Sequence, residues 1–226
     1  MYSHILDETK QKKLSKAESL YMKLKEDILT SNLIDGTKLT EELICQKYNI
    51  SRTPVRSCLQ RLESEGLVNI VLNCGAYVNS IDAQYLRDLC QLMKASKLQC
   101  IEWTIERITD EELIYLEEVF EYLSFYTNKN NLTITKKSND AFHFMIFKCC
   151  HNNLLFQTLT AYNTTLELLN KRKNFSIQYW NTIFEEHKEI YKAILTKNVH
   201  LGKIAIEEHL NNSFIRDFGI DLYSEH

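Results

Sequence analysis

The sequence has very few of the residues that interrupt helices. It contains one proline and five glycines among 226 residues, and both residue types are unfavourable inside a helix. Most of them fall in the first third of the chain: Gly36, Pro54, Gly66 and Gly75. This distribution predicts short elements with tight turns at the start and long, uninterrupted helices afterwards.

The sequence also lacks the features of secreted and membrane proteins. It has no run of about eighteen apolar residues, and its polar N-terminus lacks the apolar core of a signal peptide. The seven cysteines are odd in number and include no CxxC pair, which argues against a disulfide framework or a zinc ribbon. We therefore expect a cytoplasmic protein with no membrane partner. The adjacent Cys149 and Cys150 leave a redox role open.

Neither sign of charge dominates the chain. The net charge is −3, so the protein as a whole is not a polycation. Residues 1–80 are slightly basic, and residues 81–226 carry the acidic excess. A local basic surface in the first third is compatible with this distribution.

The first eighty residues contain elements in the order of a winged helix-turn-helix. Apolar spacing predicts helices over residues 17–31 and 40–47, and Thr40 is a suitable N-cap for the second. A third helix is predicted with Thr53 as its cap and Pro54 at its first position, ending at a left-handed Gly66. The β-branched runs on either side of residues 73–75 then predict a hairpin. In such domains the third helix enters the DNA major groove.

The third helix carries its apolar and its long polar side chains on opposite faces. Two exposed arginines on a helix are by themselves usually part of a solvated surface, but the ordered set of elements favours DNA binding. The hairpin tip would approach the minor groove or the backbone, where a missing side chain allows close contact. The candidate DNA contacts are Ser51, Arg52, Thr53, Pro54, Arg56 and Gly75.

These residues lie in motifs that resemble the GntR family of bacterial transcription regulators. The similar stretches are LTEELI, NISRTPVR, LQRLESEGLV and CGAYV, within about residues 17–80. The resemblance implies a homodimer bound to double-stranded, pseudo-palindromic operator DNA. One position departs from the family pattern, because Glu42 stands where members commonly place a DNA-contacting arginine. An acid there repels phosphate.

From residue 82 onward the chain predicts about six amphipathic helices with short connections, which form an α-helical bundle. Asp82 and Thr109 are suitable N-caps for the first two helices, and NNLTIT is predicted as a loop before the third. Three histidines lie where ligands from separate helices could converge, with an asparagine one turn before the first of them. This set is a candidate site for zinc or nickel: Asn139, His143, His187 and His209.

The second part of the chain resembles the effector domain of the FadR subgroup, called FCD. The similar stretches are NDAFH, HNNLL, EEHKEIYKAI and AIEEHL, within about residues 82–215. The resemblance implies a divalent metal held by an acid and three histidines, which helps to bind a small organic-acid or sugar-acid effector. Asn139 stands where relatives often have aspartate. Lys94 or Lys97 would replace the arginine that pairs with the effector carboxylate in relatives.

We therefore predict a mostly α protein with an N-terminal winged helix-turn-helix over residues 1–80 and an all-α helical bundle over residues 81–226. The predicted function is a ligand-responsive repressor whose operator affinity a carboxylate effector changes, and not an enzyme. Two alternatives stay open. The bundle could be a dimerisation module without a metal, or its histidines could activate water for hydrolysis.

Overall fold

The computed structural model describes residues 15–72 and 74–223. The described residues form nine helices and one small sheet. They divide into two compact units. The head unit comprises the described residues up to Leu86 together with Thr165–Arg172, and the helical unit comprises Arg87–Thr164 and the residues from Lys173 onward. The domain boundary predicted at residue 80 stays a prediction.

The head unit begins with three helices and a three-stranded sheet. Its elements are α1 (Lys16–Leu29), β1 (Lys38–Leu39), α2 (Glu41–Tyr48), α3 (Arg52–Ser64), β2 (Val68–Val71) and β3 (Gly75–Val78). The strands are antiparallel in the order β1-β3-β2, with Asn69 and Lys38 both opposite Tyr77. The predicted three helices and hairpin are confirmed. The sequence patterns did not predict β1, which forms through its pairing with β3.

The local signals at the ends of α2 and α3 are partly confirmed. Thr40 caps α2 by accepting a hydrogen bond from the Leu43 amide at 3.3 Å, and Gly66 is left-handed with φ +71°. The predicted start of α3 is wrong by two residues, because Ser51 is the N-cap and Pro54 is the third helical residue. Proline is tolerated there because the first four amides of a helix have no intrahelical acceptor.

The core of the head unit lies between the helices and the sheet. Its fully buried side chains include Val55, Leu62 and Leu67. The end of a later helix and the turn after it, residues 165–172, complete this unit, with Leu168 and Leu169 packed against the core. Lys171 pairs with Glu26 at 2.7 Å.

The helical unit is built from long antiparallel neighbours with capped starts. Asp82 caps the first helix by accepting from the Tyr85 amide at 2.9 Å, and Thr109 and Glu112 form a reciprocal capping box on the second. Both predicted caps are therefore confirmed. The helices are α4 (Ala83–Arg107), α5 (Asp110–Asn128), α6 (Leu132–Cys149), α7 (Asn153–Leu169), α8 (Ile177–Leu195) and α9 (Val199–Phe218).

The predicted loop NNLTIT is largely helical, which corrects the expected start of α6. Asn131 accepts a hydrogen bond from the Ile134 amide at 3.2 Å, so the helix begins at Leu132. The β-branched residues of this segment have low helix propensity, but the cap formed by Asn131 allows the helix to begin before them. The earlier start gives α6 one more turn ahead of His143.

Helices α4 and α9 approach each other closely at Gly202. A Cβ atom there would lie 2.5 Å from Ile105 Cδ1 and 3.3 Å from Ile101 Cγ1. The absence of a side chain therefore permits the packing that brings α9, and with it His209, into the bundle. Within the described residues, no helix is both long enough and apolar enough to cross a membrane.

Candidate functional site

The candidate DNA-contacting residues lie together at the start of α3. Ser51, Arg52, Thr53 and Arg56 are exposed and Pro54 is half-buried, whereas Val55 on the inner face is fully buried. The structure thus brings four of the predicted contacts to one surface at the helix N-terminus. The positive end of the helix dipole at this point favours a phosphate.

Arg56 is held by an acid that the sequence patterns did not point to. Its Nε donates to Glu41 Oε1 at 2.6 Å, and Glu41 is the first residue of α2. This hydrogen bond lowers the pKa of Glu41. The contact uses only Nε of a guanidinium that carries five N–H donors. Only the folded structure reveals this pair, since the two residues are fifteen positions apart.

Gly75 lies at the start of β3, next to the tip of the hairpin. Its φ of +111° is unfavourable for other residues, and a Cβ atom there would lie 3.1 Å from the carbonyl oxygen of Leu39. The glycine is therefore required by the packing of β3 on β1. Its predicted contact with DNA stays a prediction. Asn73, which the predicted hairpin turn includes, lies outside the described residues.

Three histidines converge inside the helical unit from three different helices. His143 of α6, His187 of α8 and His209 of α9 offer ligand atoms that all lie within 4.8 Å of one another. The ring centres are 4.8 Å apart for His143–His187 and for His187–His209. All three side chains are buried. The structure thus brings together the three histidines that spacing alone had left as candidates.

Buried polar atoms of His187 and of Asn139, which lies on α6 one turn before His143, lack partners in the described part of the protein. Neither ring nitrogen of His187 has a hydrogen-bond partner among the described residues, and the same is true of Asn139 Oδ1. The Asn139 amide nitrogen donates to Asp140 Oδ1 at 3.2 Å, so the amide oxygen is the atom without a partner. Buried polar atoms without partners are rare in folded proteins and indicate a further partner such as an ion, a ligand or a water.

Burial keeps the imidazoles neutral. It lowers the pKa of His143 and of His187 well below the usual value, and the neighbouring Lys97 and histidines lower both further. A neutral imidazole has a free lone pair on one ring nitrogen. The cluster therefore presents lone pairs at neutral pH.

Glu186 orients His209, and no sequence motif had indicated this role. His209 Nδ1 lies 2.7 Å from Glu186 Oε2, and Arg216 donates to both oxygens of the same carboxylate at 3.0 and 3.2 Å. Burial would raise the pKa of Glu186, but the hydrogen bonds from His209 and Arg216 lower it to about 2. The ionised carboxylate therefore accepts a hydrogen bond from Nδ1–H, which leaves the lone pair of the neutral ring on Nε2.

The two lysines of α4 differ in their surroundings. Lys97 is 4% exposed, and its ammonium lies 5.4 Å from the ring centre of Phe147. Burial lowers the pKa of Lys97 to about 8, and no acid pairs with it among residues 15–72 and 74–223. Lys94 instead pairs with Glu207 at 2.7 Å and donates to the Tyr223 hydroxyl at 2.6 Å. Only Lys97 has an unneutralised charge beside the histidines.

A winged helix-turn-helix followed in the chain by an all-helical domain is the architecture of a transcription regulator, and comparisons with known proteins agree. The family model "Bacterial regulatory proteins, gntR family" matches residues 16–78, and the model "FCD domain" matches residues 88–212. The chain belongs to the GntR family of bacterial transcription regulators and carries an FCD domain. Its relatives are regulators and not enzymes.

The matches to known regulators extend over most of both chains. The chain is 23% identical to the HTH-type transcriptional regulator YdhC of Bacillus subtilis, over 85% of this chain and 86% of that protein. It is 22% identical to the HTH-type transcriptional repressor RspR of Escherichia coli, over 85% of each. The solved structure of McbR/YncC from E. coli has a TM-score of 0.67 at 17% identity, covering 91% of this chain and 98% of that one. That similarity supports the fold.

Proposed function

We propose that this protein is a homodimeric, ligand-responsive repressor that binds operator DNA through α3. A small carboxylate bound in the helical domain modulates its DNA affinity. The observation that carries the effector part is the convergence of three buried, neutral histidines beside the unpaired ammonium of Lys97. The E. coli relative RspR is named a repressor, which supports the sign of regulation.

In the DNA-bound state, residues at the start of α3 contact the duplex. Arg52 and Arg56 present their guanidinium groups to base edges or phosphates, and the amides of Ser51 and Thr53 at the helix N-terminus favour a phosphate. Gly75 approaches the adjacent backbone. Two heads of a dimer would read two half-sites about one helical turn apart.

The donor set of the histidine cluster fits a divalent metal such as zinc or nickel. Three imidazole nitrogens with Asn139 Oδ1 give four ligands, and the unsatisfied atoms of His187 and Asn139 would gain partners. Such an ion would supply a Lewis-acid anchor for an oxygen ligand. The amide of Asn139 is a weaker donor than the carboxylate usual in relatives.

Lys97 selects an anionic effector. A buried ammonium without a counter-ion raises the free energy of the folded protein. A ligand carboxylate that pairs with it offsets part of this cost. Lys94 cannot do so without giving up Glu207 and Tyr223, so Lys97 is the proposed anchor of the two. A small organic acid or sugar acid provides the carboxylate, and its hydroxyl groups can satisfy remaining polar atoms.

The effector regulates DNA binding only through a difference in its affinity for two states of the protein. In the proposed scheme the effector favours a placement of the two heads that does not match the half-site spacing. Operator affinity then falls by the same factor by which DNA weakens effector binding.

A pair of lysine substitutions tests the effector site. Thermal unfolding and calorimetric titration would be measured with lactate, malate and gluconate as probes, with and without added zinc. We expect at least one acid to stabilise the wild-type protein, Lys97→Met to abolish this effect, and Lys94→Met to retain it. Loss of the effect in Lys94→Met alone would place the anchor at Lys94 and contradict the assignment.

The alternative function is a regulator whose helical domain only dimerises. Elemental analysis of protein purified without chelator distinguishes the two. We expect about one equivalent of bound metal per chain. Less than about a tenth of an equivalent, combined with no stabilisation by added zinc or nickel, would favour the alternative.

A further inference from the structure

A groove of the head unit lies beside the start of α3. It has a volume of about 410 Å³ and lies between α1 and the connection from α2 to α3. Ser51, the N-cap of α3, directly follows one of the lining residues, so the groove adjoins the predicted DNA contacts. The lining residues are Lys16, Ser19, Leu20, Lys23, Tyr48 and Ile50.

Helix α1 presents two lysines and a serine to this groove. Lys16, Ser19 and Lys23 stand at positions i, i+3 and i+7, which share one face of a helix. All three residues are exposed. Lys16 and Ser19 lie in the first turn of α1, where Ser15 accepts a hydrogen bond from the Glu18 amide at 3.1 Å. The positive end of the helix dipole therefore adds to the charge of the lysines.

The last turn of α2 brings a third ammonium to the edge of the groove. Lys47 is exposed, and its Nζ lies 5.3 Å from the ring centre of Tyr48, which lines the groove. Among residues 15–72 and 74–223, neither Lys16 nor Lys47 forms an ion pair with an acid. Two positive charges thus lie at the groove without a counter-charge from the described protein.

The nearby acids of α1 do not neutralise these two lysines. Asp27 pairs with Lys23 at 3.0 Å, and Glu18 pairs with Arg61 of α3 at 2.8 Å. Each carboxylate therefore balances another cation of the head unit. The groove keeps a positive excess that is complementary to an anion outside the chain.

We propose that this groove holds a phosphate of the operator backbone, with Lys16, Ser19 and Lys47 as its contacts. The inference rests on the proposed function, in which the start of α3 enters the major groove. A sugar-phosphate strand borders the major groove, and the positive groove of the head continues directly from that end of α3. Lysine ammonium groups and serine hydroxyls are common donors to phosphate oxygens.

Contacts of this kind position the head on the duplex without reading its sequence. Loss of one lysine should therefore weaken binding to the operator and to an unrelated duplex by the same factor, about 3- to 10-fold at moderate salt. The slope of log affinity against log salt concentration should become shallower by about one. A base-reading arginine would instead change the ratio of the two affinities.

Binding of the full-length protein to an operator duplex and to an unrelated duplex of equal length, over a series of salt concentrations, tests the proposal. The variants are Lys16→Ala and Lys47→Ala, and Lys16→Arg and Lys47→Arg should restore the slope because they keep the charge. The matched control is Lys171→Ala, since Lys171 belongs to the same unit but pairs with Glu26 at 2.7 Å. It removes the same charge from the head and should keep the wild-type affinity and slope.

The outcomes separate this inference from the proposed function. Unchanged slopes in both lysine-to-alanine variants, while Arg52→Ala still weakens operator binding, would overturn the phosphate groove alone. An equal loss in Lys171→Ala would show a general charge effect and would also overturn it. Shallower slopes in the two lysine variants, with unchanged operator affinity in Arg52→Ala and Arg56→Ala, would support the groove and contradict the assigned role of α3.

Discussion

Replacing Glu186 with glutamine should weaken metal binding without removing any metal ligand. Glu186→Gln keeps the size of the side chain but exchanges a charged acceptor for a neutral one, 2.7 Å from His209 Nδ1. The charge-assisted hydrogen bond that fixes the ring and its tautomer becomes an ordinary one. Loss of such a partner typically lowers metal affinity about 10- to 100-fold, or about 1.4–2.7 kcal/mol.

The assay is a competitive titration of zinc against a chromophoric chelator on the full-length protein. Stability of the metal-free protein is a poor readout, because Arg216 also loses its charged partner, at a cost of about 1–3 kcal/mol. The matched control is Glu185→Gln. Glu185 is the adjacent residue, is 68% exposed and pairs with the exposed Lys188, so its loss should leave the affinity unchanged. Equal zinc affinity in Glu186→Gln and in the wild type would refute the reasoning.

Further predictions concern pH and the DNA-binding surface. Because burial depresses the pKa of His143 and His187, only the unfolded chain gains their protons as the pH falls below about 6.5, and stability is full above that value. In metal-free urea titrations the free energy of unfolding should therefore decrease by up to about 2.7 kcal/mol per pH unit below it, and a flat profile would contradict this. Glu41→Ala should weaken operator binding less than Arg56→Ala does, because Arg56 keeps its charge but loses the partner that orients it. The salt dependence of binding should stay unchanged. Tighter operator binding by Glu41→Ala would show that Glu41 competes with DNA for Arg56. Glu42→Arg should tighten binding and steepen the salt dependence by about one contact, and unchanged binding would place residue 42 away from the DNA.

Local chemistry made much of the fold predictable. The caps at Thr40, Asp82 and Thr109 and the left-handed Gly66 act within a few residues of the chain. Such signals depend on hydrogen bonds between residues that are close together in the sequence. The start of α6 was missed because Asn131, which favours both turns and helix N-caps, was assigned to a loop and is the N-cap of the helix.

Features that depend on distant contacts were not predictable. Strand β1 has two residues and exists because it pairs with β3 about 38 positions later. Glu186 is one acid among many on amphipathic helices, and only the folded bundle shows that it contacts His209 and Arg216. The three histidines were identifiable because histidine is rare in this sequence and these three lie on predicted helices. Their supporting partners have no such signature.

The central claim is that the segment beginning at Ser51 is the helix that reads DNA. The most direct measurement is the affinity of the full-length protein for a duplex enriched by selection from genomic fragments. Arg52→Ala and Arg56→Ala should each weaken binding by about 1–3 kcal/mol. Arg61→Ala, on the same helix but paired with Glu18 at 2.8 Å, should bind like the wild type. Unchanged affinity in both Arg52→Ala and Arg56→Ala, or no enrichment of any fragment, would contradict the account.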